Sequence, residues 1–188
     1  YGVIYLPKFY IDFENKDGRD AGKDIAIEVE RLKSAGVNGI VLDVRDDGGG
    51  SLSTVVDIAG LFIEQGPIVQ IKSAGRKKEV LYDRDKKIEW DGPLVIMVNS
   101  FSASASEILA AAIQDYKRGI IIGSKQTYGK GTVQRNVAFG KPLDDLGIQT
   151  EYGAVKLTFQ KFYRVTGSST QKKGVASDIV FPDEYEFL

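Results

Sequence analysis

Three serines alternate in Ser102-Ala-Ser104-Ala-Ser106-Glu107, and Lys130 stands between glycines in Thr127-Tyr128-Gly129-Lys130-Gly131; the chain has no histidine and no cysteine. A serine hydroxyl is a weak nucleophile until a base removes its proton, and no imidazole exists here to do so. A lysine amine can serve instead if burial or nearby positive charge lowers its pKa from about 10.4. The pair Ser104 and Lys130 therefore reads as a candidate Ser/Lys hydrolase site.

Ser104 falls where a buried strand ends and a helix begins, so unpaired helix N–H groups lie beside it. The N–H of Ala105 could face a developing oxyanion. The same residues also read as a capping box, Ser104-x-x-Glu107, in which the hydroxyl does no chemistry, and on pattern alone the cap is the commoner meaning. Ser102 and Ser106 remain alternatives, one before the junction and the other within the first helical turn. Gly48-Gly49-Gly50 follows a strand ending in Asp43-Val44-Arg45. Glycines at a strand's carboxyl edge let the backbone approach a substrate, and an N–H of Gly49 or Gly50 is a candidate second oxyanion donor. A flexible turn would look the same. If Lys130 leads into a strand, Gln134 shares its face and could orient the amine without the ion pair that would keep lysine charged. Asp115 lies eleven residues past Ser104, about 16 Å along a helix, too far to join them. It is expected to anchor the helix end or to pair with Lys117 or Arg118.

The elements that must position these groups alternate. Strands are expected at residues 3–6, 39–44, 68–71, 77–82, 94–98 and 120–122, with helices at 24–35, 54–62 and 104–115 between them. Further strands are expected at 132–139, 154–159 and 162–165, with a loop rich in Gly, Pro and Asp between the first two. This order predicts an α/β fold with a parallel sheet and additional C-terminal strands in one domain spanning residues 1–188. The 43% hydrophobic content suffices for a core, and 25 basic against 26 acidic residues give no field that would recruit nucleic acid or an anionic membrane. Without cysteine there are no disulfides or thiolate metal sites, and no metal or organic cofactor is expected. No apolar run approaches the ~20 residues of a membrane span. The chain begins at Tyr1, in a strand-like run, and reads as an excised fragment.

Taken together the segments resemble the carboxyl-terminal processing proteases, most closely their tail-specific branch. The likeness runs through residues 39–50, 59–70, 98–116, 127–134, 160–165 and 174–179. It implies a crotonase- and Clp-protease-like core and a serine endopeptidase that cleaves proteins near their C-termini through an acyl-enzyme. By position it assigns the nucleophile to Ser104, the base to Lys130, the amine-orienting role to Gln134, and the oxyanion donors to Ala105 and Gly49 or Gly50. It also implies protein substrates held by their C-terminal region, an envelope adaptor protein as a partner, a bacterial periplasmic or envelope location, and a PDZ domain outside these residues. The chain departs from the family pattern at Asp47, where asparagine is frequent, at Ser124-Lys125-Gln126 before the lysine loop, and at Ser177. Rival readings are a peptide-binding scaffold on the same fold and, more distantly, an acyl-CoA enzyme of the crotonase type.

Overall fold

The computed structural model describes residues 1–15, 17–139 and 153–183. Its elements run β1 (Gly2–Tyr5), α1 (Ala21–Ser34), β2 (Ile40–Asp43), α2 (Leu52–Gly60), β3 (Gly66–Ser73), β4 (Glu79–Asp83), β5 (Leu94–Val98), α3 (Ala105–Asp115), β6 (Ile120–Gly123), β7 (Thr132–Ala138), β8 (Ala154–Tyr163) and β9 (Ile179–Val180). Five of the strands form a parallel sheet in the order β1-β2-β5-β6-β9, and four form an antiparallel sheet in the order β4-β3-β8-β7. The α/β expectation with extra C-terminal strands is met.

Short apolar runs make the parallel sheet because β1, β2, β5 and β6 each bury a face in the core, while both residues of the edge strand β9 are exposed. Ile4, Leu42, Ile96 and Ile121 lie at 7% exposure or less and join Val29, Ile58 and Leu109 from the three helices in one core. Helix α1 begins three residues earlier than its apolar period predicts, because Asp20 caps it by accepting the Gly22 N–H at 2.8 Å. Helix α3 is buried from Ala105 to Ile113, so its alanines let it pack closely on both sheets.

One expectation needs correction, and the helix-end role expected of Asp115 is met through a different partner. The segments at 154–159 and 162–165 are one strand, β8, which pairs with β7 on one side and β3 on the other. The polar pair Gln160-Lys161 does not interrupt it, because backbone bonds to both neighbours hold it there. Asp115 pairs with Arg164 at 2.6 Å and not with Lys117 or Arg118, tying the end of α3 to the segment after β8. The loop expected between β7 and β8 lies outside the described residues. Among the described residues, no helix is long and apolar enough to cross a membrane.

Candidate active site

Strands β2 and β5 are neighbours, so the turns leaving their carboxyl ends lie side by side. Asn99 joins these turns. Its Oδ1 accepts the N–H groups of Asp46 (3.0 Å), Phe101 (3.1 Å) and Ser102 (3.1 Å), and its Nδ2 donates to Asp46 Oδ1 at 2.8 Å. Asp47 adds a second link: its main-chain oxygen accepts from the Ala103 N–H (2.9 Å) and from Ser106 Oγ (2.8 Å). The glycine loop is thereby pressed against Ser104. At Gly49 φ is +100°, and a Cβ there would stand 2.7 Å from the Ser104 Cβ. Gly49→Ala is accordingly expected to push Ser104 out of place and lower any turnover by about 100-fold, as kcat measured on folded protein would show.

The three serines separate cleanly. Ser102 is buried and its hydroxyl donates to Val44 O at 2.8 Å, while buried Ser106 donates to Asp47 O. Ser104 is only half-buried and adopts φ 59°, ψ −110°, a conformation costly for a residue with a side chain. Its side chain lies in the capping-box arrangement but makes no aligned hydrogen bond with the helix N-terminus. Among the described residues, the N–H groups of Ala105 and Gly50 donate no hydrogen bond, whereas that of Gly49 is committed to Asp47 Oδ1 at 2.7 Å. Of the two candidate glycine donors, Gly50 is therefore the one available.

Lys130 arrives on the connection between β6 and β7, and Glu107 fixes it there. Glu107 Oε1 accepts from Thr127 Oγ1 (2.7 Å) and the Gly129 N–H (2.7 Å), and Oε2 accepts from the Lys130 N–H (2.8 Å) and the Ser104 N–H (2.9 Å). The backbones of Ser104 and Lys130 thus converge on a single oxygen atom of a fully buried carboxylate. Burial pushes the Glu107 pKa up, and these four hydrogen bonds oppose the shift. Three of the four partners are backbone N–H groups that can only donate, and they occupy both oxygens, an arrangement that suits an acceptor-only carboxylate. The far side of the loop is held by Lys172 N–H to Gly129 O (2.7 Å), Thr170 Oγ1 to Lys130 O (2.8 Å) and Gly131 N–H to Gln171 Oε1 (2.8 Å). In Glu107→Gln one amide orientation sets an NH2 group against the Ser104 and Lys130 N–H groups and the other sets it against the Gly129 N–H. Glu107→Ala leaves all four without an acceptor, and urea unfolding is expected to show a loss of about 3 kcal/mol or more.

The Lys130 amine has its pKa lowered, first by burial and then by the positive charge of Lys156 on β8, with Glu107 acting in the opposite direction. The Ser104 hydroxyl and the Lys130 amine are not hydrogen-bonded to each other among the described residues. Gln134 is exposed, and its amide donates to Thr158 Oγ1 at 3.1 Å. A register shift between Val133 and Gln134 breaks the simple alternation that would align it with Lys130. Structure therefore brings together Ser104, Ala105, the glycine loop and the Lys130 backbone, and leaves Gln134 engaged elsewhere. Sequence reasoning missed the part played by Glu107 in holding the lysine loop. The available signal was a lone acid inside a helix otherwise built of Ala, Ser, Ile and Leu through Ile113.

This α/β fold sets a half-buried serine at a helix N-terminus and ties its backbone, through one buried carboxylate, to the loop that carries Lys130. A sequence model of peptidase family S41 matches residues 1–181, and the chain belongs to that family. It is 45% identical over 183 residues to the tail-specific protease of Haemophilus influenzae, covering 96% of this chain and 24% of that protein. It is 33% identical to the carboxy-terminal-processing protease of Bartonella bacilliformis, covering 94% of this chain and 39% of that one. A solved photosystem II D1 C-terminal processing protease superposes with a TM-score of 0.76 at 31% identity, covering 97% of this chain and 42% of that one. The chain thus spans well under half the length of these relatives.

Proposed function

We propose that these residues form, as a single domain, the catalytic core of a serine endopeptidase that cleaves proteins near their C-termini. One observation carries the reading: a single buried carboxylate binds the backbones of Ser104 and Lys130 together, while the Ser104 hydroxyl, alone among the three serines, donates no hydrogen bond among the described residues. Ser104 Oγ attacks the scissile carbonyl carbon and its proton passes to neutral Lys130 Nζ. The oxyanion forms against the Ala105 and Gly50 N–H groups. Collapse expels the amine, which takes the proton from Lys130 and leaves an ester on Ser104. Water then attacks that ester, Lys130 again relays the proton, and the serine is regenerated. Substrate binding supplies the approach of Oγ to Nζ, since catalytic hydrogen bonds commonly tighten only in the complex. Gln134 can orient the amine once its own amide leaves Thr158.

The names of the relatives support a substrate captured by its C-terminal region, and the tail-specific resemblance supports work in a bacterial envelope with an adaptor. The direct assay incubates the intact protein with an unfolded protein substrate and sequences the products by mass spectrometry. Cuts clustered near the substrate's C-terminus, unaffected by excess EDTA, are expected. Cleavage abolished by EDTA would contradict a mechanism built on Ser104 and Lys130, and peptide binding without cleavage would favour the scaffold reading.

A further inference from the structure

The glycine loop contains an acid that the mechanism above does not use. Asp47 is completely buried, and its two carboxyl oxygens have different surroundings: Oδ1 accepts the Gly49 N–H at 2.7 Å, and Oδ2 has no hydrogen-bond partner among the described residues. Its main-chain oxygen meanwhile holds Ala103 and Ser106, the residues on either side of the Ser104-Ala105 pair. Asp47 is therefore, after Asn99, a second residue through which the glycine loop and the serine turn are fastened to each other, and the one that lies nearest Gly49. An ionised carboxylate with one oxygen sealed from water and unpaired is a costly state, while a neutral acid in the same place is tolerated.

The charges nearby do not relieve it. Among the described residues, Lys8, in the segment after β1, is the one charged group that acts on the carboxyl, and it is itself exposed. From α3 the facing group is Ser106, whose hydroxyl is taken up by the Asp47 main chain. Glu107 on the same helix directs its carboxylate to the Lys130 loop, Asp46 bonds Asn99, and Arg45 pairs with Asp43. Burial pushes the Asp47 carboxyl up to about 7, with the Gly49 N–H, Ser106 and Lys8 opposing the shift.

We infer that Asp47 is a positioning residue for the oxyanion site, holding the glycine loop against Ser104 as a neutral acid and releasing it on ionisation. Hydrating the carboxylate requires the loop to open, which carries Gly49 and the Gly50 N–H away from Ser104. Asparagine at this place would keep the acceptor and could not ionise. Asp47 thereby sets an alkaline limit on a reaction whose lysine base favours high pH. The inference rests on Ser104 being the nucleophile served by that loop.

The test compares kcat/KM of the intact protein with its Asp47→Asn and Ser104→Ala variants between pH 5.5 and 9. The ratio of Asp47→Asn to parent is expected to stay level below about pH 7 and then to rise about tenfold per pH unit, whatever its starting value. Thermal unfolding supplies a readout in a different window. The folded protein keeps on Asp47 a proton that the unfolded chain releases above the ordinary value of 3.8, so the parent loses stability relative to Asp47→Asn as pH rises from there to about 7 and levels off beyond. A ratio that does not change with pH, with Ser104→Ala inactive, would overturn the role of Asp47 and leave the nucleophile standing. Turnover retained in Ser104→Ala would overturn both. A melting-temperature difference that is flat across pH would show that Asp47 does not hold its proton and would likewise overturn the inference.

Discussion

Ser104→Ala is expected to lower peptide cleavage by about 10⁴-fold or more while leaving the protein folded and able to bind substrate. The two roles that a serine can take at this helix start predict different outcomes. A pure N-cap would cost about 0.5–2 kcal/mol of stability on removal and leave turnover intact. Here the hydroxyl makes no aligned bond to the helix, and the Ser104 N–H is held by Glu107 whatever side chain residue 104 carries. Loss of the hydroxyl should therefore be felt in kcat and hardly in the urea midpoint. Ser102→Ala and Ser106→Ala behave in the opposite sense. Each removes a buried donor from a main-chain oxygen, Val44 O or Asp47 O, and is expected to cost about 1–2 kcal/mol while the folded fraction keeps substantial activity. Activity and stability measured on all three variants give a pattern that neither a cap nor a scaffold would produce.

Lys130→Arg is expected to be as inactive as Lys130→Ala, with turnover down by about 10³-fold or more in both. A guanidinium occupies similar space and charge but keeps its proton across the working range, so it cannot accept one from Ser104. In the parent the active form is the neutral amine. In the Asp47→Asn background, where the alkaline limit set by Asp47 is absent, that fraction and with it the rate rises with pH through a value that burial and Lys156 have moved below the ordinary lysine range. Lys156→Glu replaces a repelling charge with an attracting one and is expected to shift that ascending limb to higher pH. The limb should remain where it was if another group is the base.

Much of this arrangement was legible because it is local. The alternation of short apolar runs with amphipathic helices predicts a parallel sheet, and the sheet's carboxyl edge then brings the glycine loop beside Ser104. What could not be read depends on contacts between distant segments. The capping box at Ser104 and Glu107 predicts one of the four hydrogen bonds to that carboxylate; the other three come from Thr127, Gly129 and Lys130, in a loop that only the tertiary fold delivers. Gln134 shares the face of Lys130 in a regular strand, but a bulge intervenes and no residue type marks it. Strand β8 reads as two pieces because Gln160 and Lys161 are polar, yet it lies between two partners that hold its backbone regardless of side chain. The two residues of β9 are too few to show any period. At Asp47 the sequence shows only a departure from asparagine, and burial turns that departure into chemistry.

The central claim is that Ser104 forms the covalent bond and that Ala105 and Gly50 receive the oxyanion. A crystal structure of the intact protein bound to a C-terminal peptide boronate tests it most directly, because boron forms a tetrahedral adduct with an activated serine and places an oxygen where the oxyanion would be. The account predicts boron bonded to Ser104 Oγ, one oxygen about 2.7–3.1 Å from the N atoms of Ala105 and Gly50, and Lys130 Nζ within hydrogen-bond reach of Oγ. Boron bonded to Ser102, Ser106 or any other residue, or an adduct on Ser104 whose oxygen points away from both N–H groups, would contradict it.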